Sequence, residues 1–209
     1  AQGILKEAYR TGELKRGDTI VEATSGNTGI AFAALAAYLD HPIHIYMPDW
    51  MSQERIQLLD AYGAEIILVS KEEGGFVESI RLAEEKGKEE GYFYPGQFEN
   101  PFNPKSQQIG LGKELVRDLD KLGLKPDLFV AGVGTGGAIM GVGKAILEVN
   151  PKAKIHPLEP AEARVLSDPK NSGVHRIGGI SDQIIPEILK LEEIHEIVSI
   201  HDGDAILMA

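Results

Sequence analysis

Apolar residues recur along this chain in two rhythms that alternate from one end to the other. Short continuous apolar runs predict strands at Thr19–Ala23, Ile43–Tyr46, Glu65–Val69, Tyr92–Tyr94, Leu128–Ala131, Lys154–Leu158 and Ile194–Ile200. Helical spacing between them predicts Gln2–Arg10, with Ile4, Leu5 and Ala8 on one face and Gly12 as its stop. It also predicts Asn27–Leu39, broken by His41-Pro42, and Gln53–Tyr62, capped by Ser52 and closed by Gly63. In that last helix Ile56, Leu58 and Leu59 are expected to face inward. Further helices are predicted over Phe76–Glu89, over Ser106–Leu122, and from the end of the glycine run Gly132–Gly137 to Val149. Asn150-Pro151 stops the last of these. Gly96–Pro104 and Ala161–Pro186 read as irregular. Strands that are apolar throughout and alternate with helices predict an α/β fold whose parallel sheet is covered on both faces. Ligands of such sheets sit beyond the carboxyl ends of the strands.

The ends of the pattern are abrupt. No start signal precedes Gln2–Arg10, and Asp204–Ala209 begins a helix where the sequence stops. The chain therefore reads as truncated at both ends.

Composition narrows the chemistry. The 209 residues are 43% hydrophobic and 25% charged, as in an ordinary globular protein. Acids outnumber bases 32 to 21, a net charge of −11, which argues against a nucleic-acid backbone or an anionic membrane as partner. With no cysteine, disulfides and thiolate metal sites are excluded, and a cytoplasmic setting is compatible. No apolar run reaches the roughly 20 residues of a membrane span, and the first residues lack the sequence of a signal peptide.

Two strand-to-helix junctions carry the candidate chemistry. In the first, Thr24, Ser25, Gly26, Asn27 and Thr28 crowd hydroxyls and an amide beside the free N–H groups of a helix start. Such a terminus suits an anion, because unpaired donors and the helix dipole both favour negative charge. A simpler alternative is a helix cap, though four polar side chains exceed what a cap requires. In the second junction, Gly132-Val133-Gly134-Thr135-Gly136-Gly137 lets backbone N–H groups wrap a phosphate. That run also satisfies G-x-G-x-x-G, and Glu159 follows Gly137 by 22 residues, where a dinucleotide fold places its ribose-binding acid. Nicotinamide binding is thus a rival reading, as is plain close packing of helix on strand. No lysine follows the glycines in the Walker position. The six histidines form no metal-ligand spacing, and Ser25 has no histidine and acid placed to activate it. Gln97, in the irregular segment, either recognises a carboxylate or organises its loop.

Taken together these segments resemble the cysteine synthase family, the O-acetylserine sulfhydrylases, among pyridoxal-phosphate enzymes of the tryptophan-synthase-β type. The resemblance runs through Glu22-Ala23-Thr24-Ser25-Gly26-Asn27-Thr28-Gly29, Met47-Pro48-Asp49-Trp50-Met51-Ser52-Gln53-Glu54-Arg55 and Gln97-Phe98-Glu99-Asn100-Pro101. It continues through Ala131-Gly132-Val133-Gly134-Thr135-Gly136-Gly137, Glu159-Pro160 and Ile177-Gly178-Gly179-Ile180, and so spans nearly the whole chain. It implies two open, mostly parallel sheets flanked by helices, as an N-terminal α/β domain over 1–104 and a C-terminal one over 105–209. Within the first, about 43–87 is expected to move onto the substrate.

The resemblance also implies site roles. Asn27 is expected to bond the 3′-oxygen of pyridoxal 5′-phosphate, and Gly134, Thr135, Gly136, Gly137 and Ala138 to hold its phosphate. Thr24, Ser25, Gly26 and Thr28, with Gln97, are expected to hold the substrate carboxylate, and Gly179 to lie near the substrate. The Schiff-base lysine is expected upstream of Ala1, and the partner of the pyridine nitrogen beyond Ala209; Lys6 and Lys15 do not match the lysine's motif. The isolated chain is therefore expected to be inactive. Two departures stand out. Ala138 replaces the family's usual threonine, and Ser181 and Asp182 stand where small residues are usual. The implied reaction is formation of L-cysteine from O-acetyl-L-serine and sulfide, with cystathionine β-synthase chemistry as the nearest alternative. A homodimer and a non-catalytic partnership with serine acetyltransferase are further implied possibilities.

Overall fold

The structure, a computed structural model, describes all residues except Ser172, Asp182 and Gln183. The chain divides into two compact units, Ala1–Asn100 and Pro101–Ala209. Each is α/β, built on its own parallel sheet.

The first unit runs α1 (Gln2–Thr11), β1 (Thr19–Ala23), α2 (Asn27–Leu39), β2 (Ile43–Pro48), α3 (Gln53–Ala61), β3 (Glu65–Val69), α4 (Gly75–Lys86) and β4 (Tyr92–Phe93). Its strands order as β3-β2-β1-β4, all parallel, with Ile20 opposite Ile43 and Ala23 opposite Tyr46. Ile20, Val21, Ala23, Ile45 and Met47 are fully buried on the interior strands. Phe32, Ala33 and Ala36 bury the inner side of α2, and Ala83 of α4 packs on Val21 and Ala23. The small side chains of α2 let the helix lie close to the sheet. The buried His41 joins the Tyr9 hydroxyl with one ring nitrogen and the carbonyl of Asp18 with the other, tying α1 to the turn before β2.

The second unit runs α5 (Phe102–Gln107), a π-helical turn (Gln108–Gly112), α6 (Lys113–Lys121), β5 (Leu128–Gly132), α7 (Gly137–Val149) and β6 (Lys154–Pro160). A 3-10 turn (Leu191–Glu193), β7 (Val198–Ile200) and α8 (Asp202–Met208) complete it. Its sheet is β5-β6-β7, parallel throughout. Val133, Ile139, Val142, Ile146, Ala153, Ile155, Leu166 and Leu189 form the core. At Gly112 and Gly141 the π turn and α7 approach at backbone distance. A Cβ on Gly112 would stand 2.7 Å from the Cβ of Ala145, and one on Gly141 would meet the carbonyl oxygen of Pro104.

Several expectations need correction. The segment Gly96–Pro104 is not irregular to its end, because α5 begins at Phe102. Proline is tolerated in a first helical turn, where its missing N–H has no partner to lose, so Pro101 and Pro104 do not delay the helix. The expected helix Ser106–Leu122 is interrupted by the π turn, and the expected helix to Glu89 ends at Lys86, before Gly87. The expected strand Ile194–Ile200 shortens to Val198–Ile200. There His195 donates its N–H to the carbonyl of Ile155 (2.7 Å), and its ring Nδ1 accepts the N–H of Ile155 (3.1 Å), so a side chain replaces the ladder. Leu59 is buried but Leu58 is 41% exposed, since α3 packs mainly on α2 and the edge strand β3. Ser52 stands at the start of α3, yet its side chain makes no capping bond. Coverage on both faces holds for the interior strands, whereas the edge strand β5 leaves Leu128 and Val130 exposed.

Ile155, near the start of the central strand β6 and fully buried in the core, contributes strongly to the stability of the second unit. Ile155→Ala is expected to cost about 2–5 kcal/mol and Ile155→Val about 0.5–1.5 kcal/mol. Urea unfolding followed by circular dichroism checks both.

Candidate functional site

The first candidate site begins where β1 ends. The N–H of Thr24 still donates to the carbonyl of Tyr46 (3.1 Å), which carries the β1–β2 ladder into the loop. Thr24 is 2% exposed, and its Oγ1 accepts the N–H of Gly26 (3.0 Å) and of Gly29 (3.3 Å). One hydroxyl thus folds the loop over the start of α2. Gly29 completes the lock, because a Cβ there would strike the methyl of Thr24. Ile30 bonds back to the carbonyl of Gly26, while the N–H groups of Asn27 and Thr28 find no acceptor among the described residues. Asn27 is exposed, and Ser25 and Thr28 are half-buried. The result is a helix start with free donors, hydroxyls and an amide, which suits an anionic group.

Gln97 comes to this loop from across 74 residues of sequence. Its side-chain Nε2 donates to the carbonyl of Ala23 (2.7 Å), and its backbone N–H to Oε2 of Glu22 (3.3 Å). The other oxygen of Glu22 accepts the N–H of Ala23 (2.9 Å). Sequence reasoning placed Gln97 and missed Glu22, a carboxyl with no solvent exposure inside a strand. An acid in an otherwise apolar run was the available signal. Arg55 was likewise without a role in the sequence. Its Nε lies 2.6 Å from where a Cβ on Gly26 would stand, so the guanidinium lies against the loop.

Burial pushes the Glu22 carboxyl up to about 8, against the pull of the two backbone N–H donors. Between its unfolded value and about 8 the folded chain holds a proton that the unfolded chain has lost. Its contribution to stability is therefore complete at low pH and falls as pH rises toward 8. Glu22→Gln is expected to remove roughly 2–4 kcal/mol of that pH-dependent decline. Urea midpoints measured from pH 5 to 9 check it; parallel curves for the two proteins would contradict it.

The second candidate site repeats the design in the other unit. The N–H of Val133 donates to the carbonyl of Leu158 (3.1 Å), extending the β5–β6 pairing one residue beyond β5. Gly136 adopts φ +85°, a left-handed conformation that glycine takes without strain, and it starts α7. Thr135 Oγ1 accepts the N–H of Gly137 (3.2 Å) and the amide Nδ2 of Asn103 (2.9 Å). A Cβ on Gly137 would run into that amide. The N–H groups of Gly134, Thr135, Gly136 and Ala138 have no acceptor among the described residues. Asn103 escaped sequence reasoning because it lay in the segment read as irregular.

Glu159, the acid that a dinucleotide site would aim at a ribose, is fully buried. Its carboxylate accepts the N–H of Leu166 (2.8 Å), the hydroxyl of Ser199 (3.1 Å) and the hydroxyl of Ser167. It fastens a loop to β6 and β7 and presents nothing to a ligand. Gly179 (φ +89°), exposed, brings its carbonyl oxygen within 2.7 Å of where a Cβ on Gly134 would stand. Ser181 follows it, and Asp182 lies outside the described residues. Among the described residues no group of three or more histidines and acids is placed to hold a metal.

Gly137→Ala is expected to displace the Asn103 amide and weaken binding of inorganic phosphate by about tenfold. Isothermal titration checks it, and an unchanged affinity would contradict anion binding at this loop.

Comparison with known proteins bears on both sites. The family model for pyridoxal-phosphate dependent enzymes matches residues 1–209. The chain is 41% identical over 209 residues to a cysteine synthase of Staphylococcus aureus, covering 100% of this chain and 66% of that protein. Among solved structures, a hydrogen sulfide-producing enzyme from Fusobacterium nucleatum is 52% identical with a TM-score of 0.95, covering 98% of this chain and 62% of that one. Cysteine synthase from Entamoeba histolytica is 37% identical with a TM-score of 0.88, covering 99% and 60%. The chain thus spans 66% of the length of the curated cysteine synthase it matches.

Proposed function

The chain belongs to the family of pyridoxal-phosphate dependent enzymes, and from that premise we propose that the whole protein replaces the β-substituent of an amino acid with sulfur. In this reading it forms L-cysteine from O-acetyl-L-serine and sulfide. The observation that carries it is the Thr24–Thr28 loop, a hydroxyl-rich helix start with free N–H donors. It stands in a chain similar over its whole length to a cysteine synthase.

The residues present fit the cofactor. The Gly132–Gly137 run offers free backbone donors at a helix N-terminus and contains no acid, which is what a phosphate monoester requires. We assign the phosphate to the free N–H groups of Gly134, Thr135, Gly136 and Ala138, with the hydroxyl of Thr135, held in place by Asn103; the N–H of Gly137 is taken by Thr135 Oγ1 and shapes the loop instead. When bound, pyridoxal phosphate supplies an electron sink that eases loss of the α-proton and of the β-substituent. The protein's part is to bind and orient. The exposed amide of Asn27 is assigned to the ring oxygen. The substrate carboxylate is assigned to Ser25 and Thr28, with Gly26 shaping the loop through its bond to Thr24, and Gly179 is assigned a place near the substrate. Thr24 and Gln97 act on that carboxylate through the loop they hold. Thr24 accepts two of its N–H groups, and Gln97 bonds the carbonyl where β1 ends. Donors fixed before the substrate arrives need no reorganisation as charge develops. Lys6 and Lys15 are both exposed, and neither is assigned the amine that carries the cofactor.

One observation favours a second reading. The 52% identity to a hydrogen sulfide-producing enzyme supports the same replacement run on L-cysteine, in which a second nucleophile, such as the thiol of another cysteine, bonds the β-carbon as sulfide leaves. The test is to supply the whole protein with O-acetyl-L-serine and sulfide, and separately with L-cysteine, and to identify the products. Cysteine formation as the faster reaction supports the first reading, and faster sulfide release from cysteine supports the second. Thr24→Val keeps the bulk that Gly29 packs against but deletes the acceptor. It is expected to lower kcat/KM by about 10²-fold in either direction.

A further inference from the structure

Ser181 combines two unfavourable features. Its backbone is left-handed (φ 56°), which a residue with a side chain rarely adopts. It is 9% exposed, and its Oγ has no hydrogen-bond partner among the described residues. Such a hydroxyl is destabilising unless something beyond the described residues satisfies it. Glycine would relieve both features at once. A backbone outlier with no local compensation points toward function.

Its surroundings identify the occupant. The N–H of Ser181 donates to the carbonyl of Val133 (2.9 Å), the residue just before the free donors of Gly134, Thr135 and Gly136. Ile180 lies against Gly132, with Cγ2 3.0 Å from where a Cβ would stand. The carbonyl of Gly179 crowds Gly134 in the same way. The segment Gly179–Ser181 therefore packs directly on the glycine loop at the start of α7. The free N–H groups of that loop at a helix N-terminus, with no acid among them, suit an anionic oxygen.

We propose that the Ser181 hydroxyl donates a hydrogen bond to the oxyanion seated on the Gly132–Gly137 loop, the cofactor's phosphate monoester. The inference rests on the assignment of that phosphate to the loop. The experiment titrates pyridoxal 5′-phosphate, pyridoxal and inorganic phosphate into the whole apoprotein bearing Ser181→Ala, Ser181→Gly or Gly137→Ala. Both Ser181 variants are expected to weaken pyridoxal 5′-phosphate and inorganic phosphate by about tenfold and to leave pyridoxal unchanged. Ser181→Gly is also expected to raise the thermal midpoint of the apoprotein by about 2–4 °C, which a merely structural serine would not do. Equal losses for pyridoxal and its phosphate would overturn the inference. So would unchanged cofactor affinity with a raised KM for the amino acid, which places the hydroxyl on the substrate. If Gly137→Ala weakens the cofactor while Ser181→Ala is silent, this inference alone fails. If Gly137→Ala is silent too, the phosphate assignment fails with it.

Discussion

A parallel strand that runs into a helix leaves the first N–H groups of that helix without partners. Both units of this protein are organised around that deficit. In each, a threonine hydroxyl takes some of the orphan donors and leaves the others open. Thr24 takes Gly26 and Gly29, and Thr135 takes Gly137. Each threonine shapes its loop while sparing donors for a ligand. The neighbouring glycines are required by contact, since Gly29 faces the methyl of Thr24 and Gly137 faces the amide of Asn103. Binding capacity here is the part of the backbone that the fold leaves unsatisfied.

Buried carboxyl groups hold the surrounding chain in place by a common device. Glu22 lies near the end of β1 and Glu159 near the end of β6, an interior strand in each sheet. Neither has solvent exposure, and each accepts backbone N–H groups from a segment that would otherwise be loose. Glu22 fixes Gln97, and Glu159 fixes Leu166. An apolar residue at either position would fit the strand and lose the loop. At the other end of the second unit, Asp202 accepts the backbone N–H, Nε and terminal nitrogen of Arg176. That cation holds its carboxyl at about 2 and anchors the approach to Gly179.

The alternation of strand and helix was legible because apolar runs of five residues and helical spacing differ in period. The two ligand loops were legible because they concentrate glycine and hydroxyls where a strand gives way to a helix. What stayed hidden depends on partners distant in sequence. Nothing local marks His195 as the group that replaces the ladder at Ile155, so the run Ile194–Ile200 reads as one strand. Pro101 and Pro104 read as breakers although each occupies a place in the chain where a helix can begin. Glu22 showed only as an acid in an apolar run and Ser181 only as a departure from small residues, since the importance of both lies in burial.

The π turn at Gln108–Gly112 amounts to one extra residue inside an otherwise continuous helix. Each residue advances a helix by about 100°, so this insertion sets the rotational phase of everything from Lys113 to Lys121. Leu115 and Val116 reach the core of the second unit in that phase. A homologue lacking the residue would turn those two side chains away unless its α7 had changed as well. The glycines at 112 and 141, where backbones touch, are then tied to the insertion and are expected to be gained or lost with it. A gap of one residue in an alignment at this point would thus mark a repacked helix pair rather than a variable loop.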